Sequence, residues 1–119
     1  MAHEAQAYAV TLARTKSMRH SSIRSYGENL AMRQAWGSDV KYTCAQATKD
    51  WYDEVKYYSY SRPGFSGKTG HFTQVVWKST RRLGVGIAKN GGFIIIVARY
   101  SPPGNFIGAF RQNVGRPRY

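Results

Sequence analysis

Residues 82–100, "RLGVGIAKNGGFIIIVARY", predict a β-hairpin that forms the centre of the domain. The Asn90-Gly91 pair favours a tight turn, and the runs on either side of it are rich in β-branched residues. The unbroken apolar run at 94–97 predicts that the second strand is covered on both faces. "SPPGN" at 101–105 must end this strand, because Pro102 and Pro103 lack the N–H donor that a sheet needs.

Two longer segments have helical periodicity. "HEAQAYAVTLARTK" at 3–16 predicts an amphipathic helix with an apolar stripe. "DVKYTCAQATKDWYDEVKYY" at 39–58 predicts one long helix that starts at Ser38 or Asp39, either of which is a competent N-cap. The sole cysteine, Cys44, is expected to be a buried side chain of this helix. The two stripes consist of Ala5, Tyr8, Ala9 and Leu12, and of Val40, Cys44, Ala47, Trp51, Val55 and Tyr58.

The remaining segments complete the predicted fold. Residues 19–31 are expected to form a loop followed by a short ordered segment, and "SRPGFSGKTG" at 61–70 a surface loop. "HFTQVVWKST" at 71–80 is expected to bring a short turn of helix into the core, with Trp77 and Val76 buried. This order predicts helices on both sides of a small, largely antiparallel sheet.

Length and composition limit the class of protein. A chain of 119 residues can bury one core but not two, and its 42% hydrophobic content excludes a disordered chain. The longest apolar run, "FIIIVA" at 93–98, is far shorter than the roughly 20 residues that span a bilayer. With one cysteine no internal disulfide can form. We therefore expect a soluble protein of a reducing compartment.

The charge is strongly one-sided. The chain has 18 Lys and Arg against 6 Asp and Glu, a formal net charge of +12. Its last acidic side chain is Glu54, and 11 basic side chains follow without one acid. We expect a positive surface that attracts phosphates, sulfates or anionic lipid headgroups. The alternative is a solvated basic surface without a specific partner.

Two histidines and two carboxylates are candidates for a shared cleft. His71 can approach Glu54 if the loop at 61–70 turns the chain back, and His20 precedes Glu28 by eight residues. His3, near the start of the chain, is expected to be idle. Each histidine could instead make a structural hydrogen bond, and Glu54 could lie on a solvated helix face. No HExxH, CxxC, G-x-S-x-G or P-loop pattern is present.

Three motifs together resemble those of the CAP superfamily, named for cysteine-rich secretory proteins, antigen 5 and plant pathogenesis-related proteins. They are "GENLA" at 27–31, "GHFTQVVW" at 70–77 and "VARYSPPGN" at 97–105. The resemblance extends from residue 3 to about 114 and is strongest to the intracellular, Golgi-associated branch. It implies an α/β/α sandwich whose cleft carries His20, Glu28, Glu54 and His71 and can hold a divalent metal such as Zn²⁺ weakly. Membership of this superfamily does not itself imply catalysis.

Three departures from the family pattern affect the expected location. Ala98 stands where secreted members have a cysteine, which favours the intracellular branch. The family's first helix has no counterpart, so we expect a single, N-terminally shortened domain over 1–119. The chain opens Met-Ala and so lacks the Met-Gly myristoylation signal. We expect an intracellular protein at the Golgi or another membrane periphery; an extracellular location is the alternative.

These observations leave two ranked hypotheses for the function. The first is a non-enzymatic module that binds anionic phospholipid membranes. The second is a metal-dependent hydrolase that uses the His/Glu cleft. Nucleic-acid binding is disfavoured, because no recognition motif accompanies the positive charge. The missing helix is expected to expose apolar surface, which predicts self-association as a homodimer. The side chains expected to contact lipid are Lys78, Arg81, Arg82, Arg116 and Arg118.

Overall fold

The computed structural model describes residues 1–36 and 40–116. A 3₁₀ helix follows the second α-helix directly, and four residues form the last helix. The elements in chain order are α1 (Ala2–Thr15), β1 (Gly27–Gln34), α2 (Cys44–Tyr52), the 3₁₀ helix (Asp53–Tyr57), α3 (Gly70–Val76), β2 (Arg82–Asn90), β3 (Phe93–Ser101) and α4 (Phe110–Asn113).

Within the described residues the sheet has three strands in the order β1-β3-β2, and both pairings are antiparallel. The predicted hairpin between β2 and β3 is confirmed, with Gly91 at φ +58° in the turn, a backbone angle that glycine adopts without strain. Strand β3 is buried from Phe93 to Tyr100. The expectation that this strand is covered on both faces is therefore correct.

Helix α1 covers one face of the sheet. Ala5, Ala9 and Leu12 are fully buried, as the periodicity predicts, and they form one core cluster with Ile95 and Val97 of β3. In the described part of the chain, neither this helix nor any other is long and apolar enough to span a bilayer.

The backbones of α1 and β2 approach each other very closely. A Cβ added at Gly84 would lie 2.6 Å from the backbone nitrogen of Ala2, and one at Gly86 would collide with the backbone of Gln6. The Gln6 side chain also donates to the Ile87 carbonyl at 2.8 Å and accepts from the Ile87 N–H at 2.9 Å. Glycine at 84 and 86 is thus required by proximity, not by turn geometry.

Helix α2 covers the opposite face. Trp51 packs in a cluster with Ile94, Ile96 and Ala98, and its indole N–H donates to the Leu30 carbonyl at 3.1 Å. The two helical layers on either side of the sheet confirm the predicted α/β/α arrangement.

The predicted start of the second helix was wrong. The helix begins at Cys44, because Thr43 and Gln46 form a capping box in which each side chain bonds the other residue's backbone N–H. Val40 is buried ahead of the helix instead of on its stripe. The proposed N-caps Ser38 and Asp39 lie outside the described residues.

One further expectation needs correction, and another becomes more specific. Cys44 is exposed, since it occupies the first position of a helix whose buried residues are Ala47 and Trp51. Residues 19–31 form a loop followed by an ordered segment, as expected, and that segment, "GENLA", is the start of the eight-residue strand β1. Its strand conformation depends on pairing with β3, a distant contact that local propensity does not reveal.

Trp77, which directly follows α3, belongs to a separate aromatic cluster. Its side chain is 4% exposed and meets the ring of Phe110 edge to face at 5.0 Å. Val76 was expected to be buried, but it is half-buried at the margin of this cluster. The cluster also includes Tyr58 and Phe72.

Replacing Trp77 with Ala should lower the free energy of unfolding by about 3–5 kcal/mol, because the cavity left behind cannot collapse fully. Trp36→Ala is the matched control, since the Trp36 side chain is fully exposed. Urea unfolding of both variants measures the difference. Equal, small losses for the two variants would show that Trp77 has no core role.

Candidate functional site

A cleft lies between the segment that precedes β1 and the start of α3. It consists of two adjoining cavities of about 280 and 290 Å³. His20, Glu28 and Asn105 line both cavities, and His71 lines the first. Three of the four predicted site residues therefore line this cleft.

Glu28 is the most heavily bonded side chain of the cleft. Its Oε1 accepts from the Ser21 N–H and lies 2.9 Å from Nδ1 of His20. Its Oε2 accepts from the Ser21 hydroxyl at 2.9 Å and from Nε of Arg99 at 3.1 Å. The carboxylate has thus been fixed in place by four donors.

The Glu28–Arg99 pair is a buried ion pair. The Arg99 side chain is 3% exposed and that of Glu28 8%. The Arg99 guanidinium also lies 5.2 Å from the centre of the Tyr8 ring. Burial by itself raises the pKa of Glu28, but the hydrogen bonds from His20, Ser21 and Arg99 outweigh burial and lower the pKa to about 2.

Glu54 holds His71 by a similar contact. Its Oε2 lies 2.8 Å from Nδ1 of His71, while its Oε1 accepts from the backbone N–H groups of His71 and Phe72 at 3.0 Å. The carboxylate therefore caps the first turn of α3, where Thr69 provides no side-chain cap. The Trp51 ring stacks on the imidazole with centroids 6.1 Å apart.

In both His/Glu pairs the carboxylate contacts Nδ1 of the imidazole, and Nε2 has no contact with it. An ionised carboxylate only accepts hydrogen bonds, so each Nδ1 carries the proton and each Nε2 of a neutral imidazole is an acceptor or ligand atom. Within residues 1–36 and 40–116, no three His, Cys, Asp or Glu side chains are grouped closely enough to hold one metal ion. This geometry favours carboxylates that orient the imidazoles over carboxylates that bind metal directly.

The sequence did not reveal several polar residues that shape the cleft. Asn29 donates to the His71 carbonyl at 3.1 Å and to the Tyr100 hydroxyl at 3.2 Å. Asn105 donates to the Gly70 carbonyl at 3.0 Å and accepts from the Thr73 hydroxyl. A signal existed for these asparagines and for Arg99, because Asn29 lies in "GENLA" and Arg99 and Asn105 lie in "VARYSPPGN". Arg99 is also a charged residue beside an unbroken apolar run, which calls for a buried partner.

The basic residues predicted to contact lipid lie outside this cleft. Lys78, Arg81 and Arg82 are exposed, as is Arg116, while Arg118 lies outside the described residues. The Lys78 N–H donates to the Asn113 carbonyl at 3.1 Å, so the start of this basic segment lies beside the C-terminal segment.

Comparisons with known proteins agree on one family. A family model described as the cysteine-rich secretory protein family, CAP, matches residues 1–100. Human Golgi-associated plant pathogenesis-related protein 1 is 43% identical over 97% of the chain, which spans 75% of that relative. Two solved structures at 26% identity cover 96% of the chain: BmVAL-1, with a TM-score of 0.73, and NaASP2 with Zn²⁺, with a TM-score of 0.71. The chain spans 63% and 65% of those two proteins.

Replacing Glu28 with Gln should destabilise the fold at neutral pH by about 3–5 kcal/mol, the usual effect of breaking a buried ion pair. The pKa of Glu28 is lower in the folded state than its ordinary 4.5, so its contribution to stability is fully present above pH 4.5 and is lost as pH falls towards 2. The difference in the free energy of unfolding between wild type and Glu28→Gln should therefore become smaller as the pH falls from 4.5 towards 2.

Urea unfolding at several pH values measures this difference. Asp53→Asn is the control, because Asp53 forms an exposed pair with Lys49 and its loss should change stability by less than about 1 kcal/mol. A Glu28→Gln effect that stays constant from neutral pH to pH 2 would contradict the assignment.

Proposed function

The chain belongs to the CAP, or cysteine-rich secretory protein, family, and from this premise we propose that it is a non-enzymatic binding module for anionic membrane lipids. The main support is a cluster of exposed cations, Lys78, Arg81 and Arg82, which we call the basic segment. Among the described residues, no carboxylate forms an ion pair with any of them. Their charge is therefore available to an external partner.

The local backbone keeps the basic segment in a fixed position. The Arg81 N–H donates to the Ser101 carbonyl at 2.9 Å, and Arg82 pairs with Ser101 in the sheet. The next residue, Leu83, is 61% exposed despite its apolar side chain. Such an apolar group beside three cations suits a surface that meets both headgroups and the acyl boundary.

The proposed location follows from the same interaction. Each well-placed Lys or Arg contributes about 1 kcal/mol near an anionic leaflet. The similarity to a Golgi-associated human relative favours the Golgi or another membrane periphery. An extracellular location is the alternative, given a family described as cysteine-rich secretory.

The cleft is proposed to hold a divalent metal ion weakly. His20 and His71 would supply one Nε2 each, Glu28 and Glu54 would orient the rings, and water would complete the coordination. The residues fit this role because each Nδ1 is hydrogen-bonded to a carboxylate, which leaves Nε2 of each ring as the ligand atom. The similarity to NaASP2, whose structure was solved with Zn²⁺, adds support.

A metal-dependent hydrolase that uses the same cleft is the second hypothesis. Zinc would supply a polarised water there. A hydrolase would also need a free general base, yet Glu28 accepts four hydrogen bonds and Glu54 accepts from three donors. With its pKa near 2, Glu28 is a weak base at neutral pH. We therefore rank binding above catalysis.

Replacing Lys78, Arg81 and Arg82 together with Gln should weaken binding to vesicles that contain phosphatidylserine, roughly tenfold to hundredfold, because three cations are lost. Wild-type binding should also weaken as salt rises, since the Debye length falls from about 10 Å at 0.1 M to about 3 Å at 1 M. Co-sedimentation with phosphatidylserine vesicles and with neutral phosphatidylcholine vesicles measures both effects.

The matched control replaces three other exposed cations, Arg14, Lys41 and Lys68, with Gln. Both triple variants lose three positive charges, so only position differs between them. Equal weakening by the two variants would show that net charge, and not the basic segment, attracts the membrane. Equal binding of wild type to neutral vesicles would exclude the proposal altogether.

The His20→Ala, His71→Ala double variant should lose Zn²⁺ binding in calorimetry, because both proposed ligand atoms are removed. His3→Ala is the control, since His3 is exposed and lies outside the cleft. Wild-type affinity should fall in acid, because a protonated imidazole cannot bind metal. Unchanged affinity in the double variant would refute the metal site.

A further inference from the structure

A separate cavity of about 240 Å³ lies between the turn after the 3₁₀ helix and the C-terminal segment. None of its lining residues lines the cleft. Aromatic, basic and small residues form its wall, and no acidic residue is among them. The lining residues are Tyr58, Tyr60, Pro63, Arg111, Val114, Gly115 and Arg116.

Two guanidinium groups belong to this cavity. Arg116 lies over the Tyr60 ring at 4.9 Å from its centre, a cation–π contact that restrains the arginine at the cavity wall. Arg111 is exposed and lies on α4. In the part of the chain that the structure describes, no carboxylate forms an ion pair with either arginine.

A third cation stands at the edge of the cavity. A Cβ added at Gly115 would lie 3.3 Å from Nζ of Lys78, so the Lys78 ammonium lies against this part of the wall. Lys78 belongs to the basic segment as well. The cavity is therefore continuous with the surface proposed above to face the membrane.

The size of the cavity favours a polyatomic anion. A liquid water occupies roughly 30 Å³, so about 240 Å³ holds a group considerably larger than chloride. A second cavity of about 240 Å³ shares Pro63 and Arg111 with it and is also lined by Ile107 and Phe110. A charged group between the arginines would thus have room for an attached carbon skeleton beside apolar side chains.

We propose that Arg111 and Arg116 bind a phosphate monoester in this cavity, with Lys78 as a third cation at its edge. A guanidinium donates two parallel N–H groups to two oxygens of one anion. A phosphate monoester has three terminal oxygens and a charge near −2 at neutral pH, so it can engage both arginines at once. A diester has two terminal oxygens and one charge, and it satisfies this site less well.

The phosphate monoester can come from a free metabolite or from a lipid headgroup. Glycerol phosphate represents the soluble source, and phosphatidic acid in a vesicle carries the same group on a membrane. The inference deepens the proposed membrane association, but the soluble arm tests the cavity without any membrane. The experiment can therefore reject phosphate binding in the cavity separately from membrane binding by the protein.

Calorimetry of the full chain with glycerol phosphate tests the site directly. Arg111→Gln and Arg116→Gln should each weaken binding by about tenfold or more, because each removes charge-assisted hydrogen bonds. Arg14→Gln, which removes an exposed arginine of α1, should leave affinity within about twofold. Urea unfolding checks that all three variants keep wild-type stability.

Vesicle binding then identifies the source. Wild type should bind phosphatidic acid vesicles more tightly than phosphatidylglycerol vesicles of equal surface charge, and Arg111→Gln should abolish that preference. If glycerol phosphate binds saturably but the vesicles show no preference, the cavity binds a phosphate monoester and its natural ligand is a soluble one. No saturable binding of glycerol phosphate, or equal effects of Arg111→Gln and Arg14→Gln, would overturn the proposal even if anionic vesicles still bind.

Discussion

Strand β3 has to be covered on both faces, and this requirement places most other elements of the fold. Its side chains alternate between a cluster with α1 and a cluster with α2. Burying one such aliphatic side chain contributes about 1.5–3 kcal/mol, so the run at 94–97 supplies much of the stability of the sheet. β1 and β2 occupy its two edges, which gives the central strand backbone partners on each side.

The buried charge of β3 links the core to the cleft. Arg99 stands directly opposite Glu28 in the β1–β3 register, so the ion pair crosses the two strands. Each of the five carboxylates that the structure describes has a charged or hydrogen-bonded partner within the chain: Glu4, Glu28, Asp50, Asp53 and Glu54. None of these carboxylates forms an ion pair with an exposed lysine or arginine of the C-terminal half.

The sequence predicted those parts of the fold that depend on local patterns. The β2–β3 hairpin, α1 and the two-sided covering of β3 follow from turn residues and periodicity. Strand β1 did not follow from local patterns, because it depends on pairing with a distant strand. The start of α2 was missed although Thr43 and Gln46 form a local capping-box pattern, because Ser38 and Asp39 are also competent N-cap residues. The cleft residues His20, Glu28 and His71 were candidates from residue type and chain reversal, and the family resemblance implied that they share one cleft. Arg99 and Asn105 lie in a quoted motif, but their hydrogen-bond partners were not predicted, because those contacts form only when segments far apart in sequence meet.

The close approach of α1 to β2 has an evolutionary consequence. Any side chain at Gly86 would collide with the backbone at Gln6, and the Gln6 amide bonds the backbone of the next strand residue. A larger residue at either glycine therefore cannot be accepted unless the helix shifts, and a shifted helix would break both amide bonds. A substitution at Gly84 or Gly86 should consequently be accepted only together with changes that move α1 away from β2.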